Sequence, residues 1–160
     1  MSSFPFISSF FFHLSSCISR LISLTEYEVE FREPLVLHHA ILPALFYLLQ
    51  THKDAILPKC CEMIRFLARS VENRARISSP ANGIVPCLVK LIDSSDASTS
   101  TKACAALMNL CKSFESAADV MDTGVYKHLL EIIQNAGLDP NNWRGGYFDV
   151  IVMSEYAKYG

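Results

Sequence analysis

Apolar residues recur through the middle of the chain at intervals of three and four, the spacing that lines one face of an α-helix. Leu88, Leu91 and Ile92 form one such set, and Ala103, Leu107 and Leu110 form another. Between them Asp93-Ser94-Ser95-Asp96-Ala97-Ser98 interrupts the pattern with residues that favour turns and helix N-caps.

The pattern repeats in register. Ile41-Leu42-Pro43-Ala44-Leu45-Phe46-Tyr47-Leu48-Leu49 superimposes on Ile84-Val85-Pro86-Cys87-Leu88-Val89-Lys90-Leu91-Ile92 at a displacement of 43. The same displacement sets Cys60 on Ala103, Met63 on Ala106, Ile64 on Leu107, Leu67 on Leu110 and Ile77 on Val120. A third copy, Gly124 to Ile133, follows the segment from Gly83 displaced by 41. A period of 41 to 43 predicts an array of units, each a short helix, a helix and a longer helix.

Pro43 and Pro86 fall in the first turn of the second helix, where the missing N–H has no intrahelical partner to lose, and Gly83 and Gly124 stand where one unit passes to the next. Beyond Gly137, Asp139-Pro140-Asn141-Asn142 and Gly145-Gly146 predict loop, and Tyr147 to Tyr159 one more helix.

Composition fits a packed protein: of 160 residues 51% are hydrophobic and 19% charged. With 14 basic against 16 acidic residues the net charge is −2, so no global field draws nucleic acid or anionic lipid. The six cysteines lack the paired spacing of a zinc site and read as buried, reduced thiols of a reducing compartment. The apolar run Phe4, Phe6, Ile7, Phe10, Phe11, Phe12 and Leu14 has no basic residue before it and falls short of the roughly 20 residues that span a bilayer. It is therefore read as a leader outside the repeats.

From Gly83 to Ile133 the residues resemble the armadillo repeat family. Gly83-Ile84-Val85-Pro86, then Leu88 to Ile92, Ala103-Cys104-Ala105-Ala106-Leu107-Met108-Asn109-Leu110 and Val120-Met121-Asp122-Thr123-Gly124 carry the likeness. It implies an all-α fold, an armadillo-like right-handed α-solenoid of two to three three-helix repeats. The chain then divides into an apolar leader and irregular or capping segment (1–37), a divergent armadillo repeat (38–82), an armadillo repeat (83–123), and a partial repeat with a C-terminal helix (124–160).

The resemblance also implies a concave groove lined by third helices. If Ala103, Leu107 and Leu110 face the core, Lys102, Ala105, Asn109 and Lys112 lie on the groove side, and the neighbouring row is Lys59, Glu62, Phe66 and Arg69. The expected partner-binding residues are Lys59, Glu62, Phe66, Arg69, Lys102, Asn109 and Lys112. Both rows begin and end with a cation, which suits a partner peptide or helix carrying carboxylates or phosphates. Asn109 corresponds to the asparagine with which importin-alpha-like members hold a peptide backbone. Their tryptophan four residues earlier is here Ala105, and in the neighbouring row Glu62. Trp143 is a further candidate partner anchor.

No catalytic, cofactor or metal residues are assigned. His38-His39 and Cys60-Cys61 have no acid or glycine-rich turn around them, and adjacent helix residues point about 100° apart. His52 and His128 are isolated, and no phosphate loop, dinucleotide fingerprint or metalloprotease helix is present. Arg65, Arg69, Arg74 and Arg76 cluster without the aromatic interleaving that single-stranded nucleic acid needs. The expectation is a non-enzymatic interaction module, cytoplasmic or nuclear, without nucleic-acid or membrane roles. Its alternatives are a scaffold element docking through its repeat ends, by self-association or within a longer parent chain, and the binding arm of a larger ligase or kinase.

Overall fold

The computed structural model describes residues 5–51, 55–128 and 131. His52, Trp143 and the helix expected from Tyr147 to Tyr159 lie outside the described residues. Among the described residues the helices with defined bounds are, in order, α1 Pro5–Tyr27, α2 Arg32–Leu37, α3 Ile41–Leu49, α4 Leu57–Leu67, α5 Val71–Ser78, α6 Ile84–Leu91, α7 Ala97–Leu110 and α8 Phe114–Asp122.

Like packs on like: α2 on α5, α5 on α8, α3 on α6, and α4 on α7. The triplets α2–α3–α4 and α5–α6–α7 are therefore equivalent units stacked side by side, an armadillo-like right-handed α-solenoid. α1 packs on α4 just as α4 packs on α7. The segment read as an apolar leader thus supplies a helix to the row of third helices.

The register of the sequence repeat is the register of the core. Cys60, Ile64, Leu67, Ile77, Ala103, Ala106, Leu107, Leu110 and Val120 have no accessible surface. α4 is buried nearly all round, at Leu57, Cys60, Cys61, Met63, Ile64, Phe66 and Leu67, because it lies between two other third helices. The small residues Ala103 and Ala106 of α7 let that helix approach its neighbours closely.

Handovers between elements follow local chemistry. Asp96 caps α7, its carboxylate accepting from the Ser98 amide at 3.4 Å and from the Thr99 amide at 2.9 Å. Gly83 and Gly124 hold φ of 65° and 76°, the left-handed region that glycine enters without a Cβ clash. At Gly83 a Cβ would also lie 2.7 Å from Phe46 Cε2.

Candidate functional site

The third helices α1, α4 and α7 bring one row of side chains each onto a shared face. Lys102 of α7 reaches back to α4, its Nζ 2.6 Å from Glu62 Oε2. Arg65 meets the other oxygen of the same carboxylate at 2.6 Å. Burial opposes the charge on Glu62, but the hydrogen bonds from Lys102 and Arg65 outweigh it and hold the group below the usual carboxylate range. Lys59 of α4 reaches back to α1 in the same way, to Ser15 Oγ at 2.6 Å and Ser19 Oγ at 2.8 Å.

Phe66 lies under two guanidinium groups, with Arg65 4.2 Å and Arg69 4.5 Å from its ring centroid. The ring itself is buried. Asn109, at the equivalent position of α7, is 5% exposed and donates its amide to the Arg65 carbonyl at 2.9 Å. Arg69 and Lys112 are exposed at equivalent positions just beyond the ends of α4 and α7.

Of the seven residues expected to contact a partner, then, two are open to solvent, three form rungs between neighbouring third helices, and Phe66 and Asn109 sit beneath the face. The cation that opens each row is partnered from inside the fold.

The arginine cluster is arranged differently from the expectation. Arg74 is buried, donating to the carbonyls of Ala68 and Arg69, and Arg76 is exposed. Arg32 lies near Arg69: burial and then the charge of Arg69 lower its pKa. Arg32 and the serines of α1 lie upstream of the segments where the sequence repeat is plain, and only the register reaches them. Carried back by 43, Cys61, Ile64 and Ala68 fall on Ile18, Leu21 and Thr25. Carried back by 42, Arg74 falls on Arg32.

Other candidates resolve as follows. His38 and His39 lie in the turn between α2 and α3, not on a helix, and their rings stack with centroids 4.7 Å apart. Among the described residues the cysteines form no disulfide. Burial pushes Cys60, Cys61 and Cys111 up to about 12, which suppresses the thiolate. Cys17 and Cys87 depart from the expected burial: Cys17 is exposed and Cys87 half-buried. His128 Nε2 lies 2.9 Å from the Asp93 carboxylate. Among the described residues no group of three or more His, Cys, Asp or Glu is placed to hold a metal, and no helix is long and apolar enough to cross a membrane.

Residues 80–112 match the family model of the Armadillo/beta-catenin-like repeat. Among solved structures the chain is similar to an engineered protein, with a TM-score of 0.74 and 16% identity over 90% of this chain and 57% of that one. It is similar to a designed armadillo repeat protein, with a TM-score of 0.67 and 20% identity over 90% and 56%. It is also similar to another in complex with the peptide (KR)4, with a TM-score of 0.71 and 17% identity over 90% and 57%. No curated protein matches by sequence. The chain spans a little over half the length of these solved structures. By fold it is an armadillo-like repeat protein.

Proposed function

We propose that the chain is a non-catalytic interaction module that takes an extended peptide or helix of a partner protein across the face of α1, α4 and α7, and that the partner carries acidic groups. The observation that carries the reading is the Arg69 guanidinium. It is exposed, set over the Phe66 ring at 4.5 Å, and close enough to Arg32 that its charge adds to burial in lowering that residue's pKa, so positive charge accumulates at this end of α4. A planar fork held against an aromatic ring loses little entropy when it pairs with a carboxylate or phosphate. Lys112 repeats the cation one unit along. In this reading Arg69 and Lys112 are the contacts, Lys59, Glu62 and Lys102 set the charge of the floor, and Phe66 and Asn109 hold it from beneath. A designed armadillo repeat protein of the same fold in complex with the peptide (KR)4 supports a peptide as the class of partner.

The test is titration of fluorescent peptides, poly-Glu-Gly against poly-Lys-Gly, into the chain and into an Arg69→Glu, Lys112→Glu variant of equal helicity. Binding of the acidic peptide that is lost in the variant is expected. Equal binding by both proteins, or preference for the basic peptide, overturns the reading.

A second reading, assembly through the repeat ends, is favoured by one observation. Tyr27, Val29, Phe31 and Leu37 are exposed at the α1–α2 end, Tyr27 by 76%. Sedimentation mass that rises with concentration, and that falls back in Tyr27→Ser, Phe31→Ser, is its signature.

A further inference from the structure

The third helices are joined in pairs by a lysine near the start of the later helix that reaches an acceptor on the earlier one. Lys102 Nζ meets the Glu62 carboxylate at 2.6 Å. Lys59 Nζ meets Ser19 Oγ at 2.8 Å, with Ser15 Oγ at 2.6 Å and the Ser15 carbonyl at 3.3 Å. The two lysines are 43 residues apart, and so are Glu62 and Ser19. These contacts are therefore one rung, repeated, with a carboxylate in the second copy and a hydroxyl in the first.

We propose that Ser19 is a phosphorylation site whose phosphate converts the first rung into an ionic one and fastens α1 to α4 through Lys59. A serine kinase supplies the reaction with a nucleoside triphosphate as donor. The Ser19 Oγ–P bond forms, the bond from the γ-phosphorus to the bridging oxygen breaks, the nucleoside diphosphate leaves, and the hydroxyl proton passes to the kinase's base. The product carries close to two negative charges and three strong acceptor oxygens at the position where the next rung holds Glu62.

Both Ser15 and Ser19 lie within reach of Lys59, and the repeat register selects Ser19, the residue 43 positions before Glu62. Ser16 stands at the register position of Lys59 itself, Ser15 at that of Pro58, and Ser23, whose hydroxyl donates to the Ser19 carbonyl at 3.1 Å, at that of Phe66. Access follows from the place of α1 in the stack. Among the described residues α1 packs on the row through α4, and Ser16, Cys17 and Arg20 of the same helix are exposed, so Ser19 stands beside solvent-facing positions that a local opening of α1 uncovers to a kinase. Phosphorylation in the opened state then favours the docked one. Glu62 also has Arg65 three residues on, whereas the matching position in α1 is Ile22, so the phosphate leans on Lys59 alone.

The experiment uses the full chain with phosphoserine installed at position 19 during translation, beside the unmodified chain, one with phosphoserine at 23, and each in a Lys59→Met background. A rise in melting midpoint of about 2–4 °C, which corresponds to roughly 1 kcal/mol in a chain of this size, is expected for phosphoserine 19. Slower proteolysis within α1 is expected alongside it, and both effects vanish in Lys59→Met. Ser19→Glu gives a smaller change of the same sign. Mass spectrometry of the unmodified chain after incubation with cell extract and ATP is expected to place phosphate on Ser19. An unchanged or lowered midpoint, a rise that survives Lys59→Met, or phosphate on other serines with none on Ser19 overturns the proposal. None of these readouts involves a binding partner, so they stand apart from the groove reading.

Discussion

Arg74 does for the end of α4 what Arg32 does for the end of α1. Arg74 donates to the carbonyls of Ala68 at 3.0 Å and Arg69 at 3.2 Å; Arg32 donates to those of Thr25 at 2.6 Å and Glu26 at 3.0 Å. The last carbonyls of a helix have no intrahelical donor, and a cation there also meets the negative end of the helix dipole. Each first helix thus satisfies the third helix before it, and the repetition of the contact is independent evidence that α1 occupies a third-helix slot.

Arg74→Met keeps the length of the side chain but removes both donors. A loss of about 1–3 kcal/mol is expected, the cost of leaving buried acceptors unpaired. Arg74→Lys is expected to recover only part of it, because one ammonium cannot reproduce a fork spanning two carbonyls. Urea midpoints at fixed slope measure both. An Arg74→Met chain as stable as wild type would mean that water satisfies those carbonyls.

Gly83 and Gly124 share a backbone conformation and differ in their surroundings. Gly124→Ala meets nothing within 4 Å and carries only the left-handed penalty of about 1–2 kcal/mol. Gly83→Ala adds a contact at 2.7 Å with the Phe46 ring, so it is expected to be the more destabilising of the two. Phe46→Leu in the Gly83→Ala background is expected to narrow the gap. Equal losses at the two glycines would show that the ring moves aside freely.

Much of this fold is legible in the sequence because a solenoid uses one pattern again and again. The displacement of 43 placed Cys60, Ile64, Leu67, Ala103, Leu107 and Leu110 in one buried register, and all of them have no accessible surface. The role of the groove residues was less legible. A lysine on a helix face looks the same in sequence whether it faces a ligand or a neighbouring helix, and what decides is the residue opposite, Glu62 for Lys102 and Ser19 for Lys59. α1 is less legible because serines interrupt the helical apolar spacing of Leu14, Ile18 and Leu21, and the register ends on Thr25, a buried polar residue whose hydroxyl donates to the Ile22 carbonyl.

The buried thiols give stability a dependence on alkaline pH. In the unfolded chain a cysteine releases its proton near its ordinary value of 9.0, whereas Cys60, Cys61 and Cys111 hold theirs to about 12 in the fold. Above pH 9 the unfolded state therefore binds fewer protons than the native one, and stability falls as pH rises towards 12; below pH 9 these groups contribute no slope. Each thiol adds at most about 1.4 kcal/mol per pH unit. Urea midpoints at pH 8, 9 and 10 are expected to decline less steeply in Cys60→Ala than in wild type. Alkylation under native conditions is expected to modify Cys17 first, as the exposed thiol.

Glu62 is the side chain that restrains the positive charge of the third-helix face, since one carboxylate is shared by Lys102 and Arg65 at 2.6 Å each. Glu62→Gln keeps the shape and removes the charge. The partners are a quarter to a third exposed, so the stability change is expected to stay within about 1 kcal/mol. It is also expected to shrink in acid: the depressed carboxylate stabilises the fold above its ordinary value of 4.5, and that contribution is lost as pH falls through the lower folded value. On the binding side the two freed cations join Arg69, so affinity for an acidic peptide is expected to rise several-fold at low salt and to lose that gain at high salt. Fluorescence titration at two ionic strengths measures it. If Glu62→Gln weakens acidic peptide binding instead, Glu62 holds Lys102 and Arg65 in the arrangement the peptide needs and does not merely neutralise them.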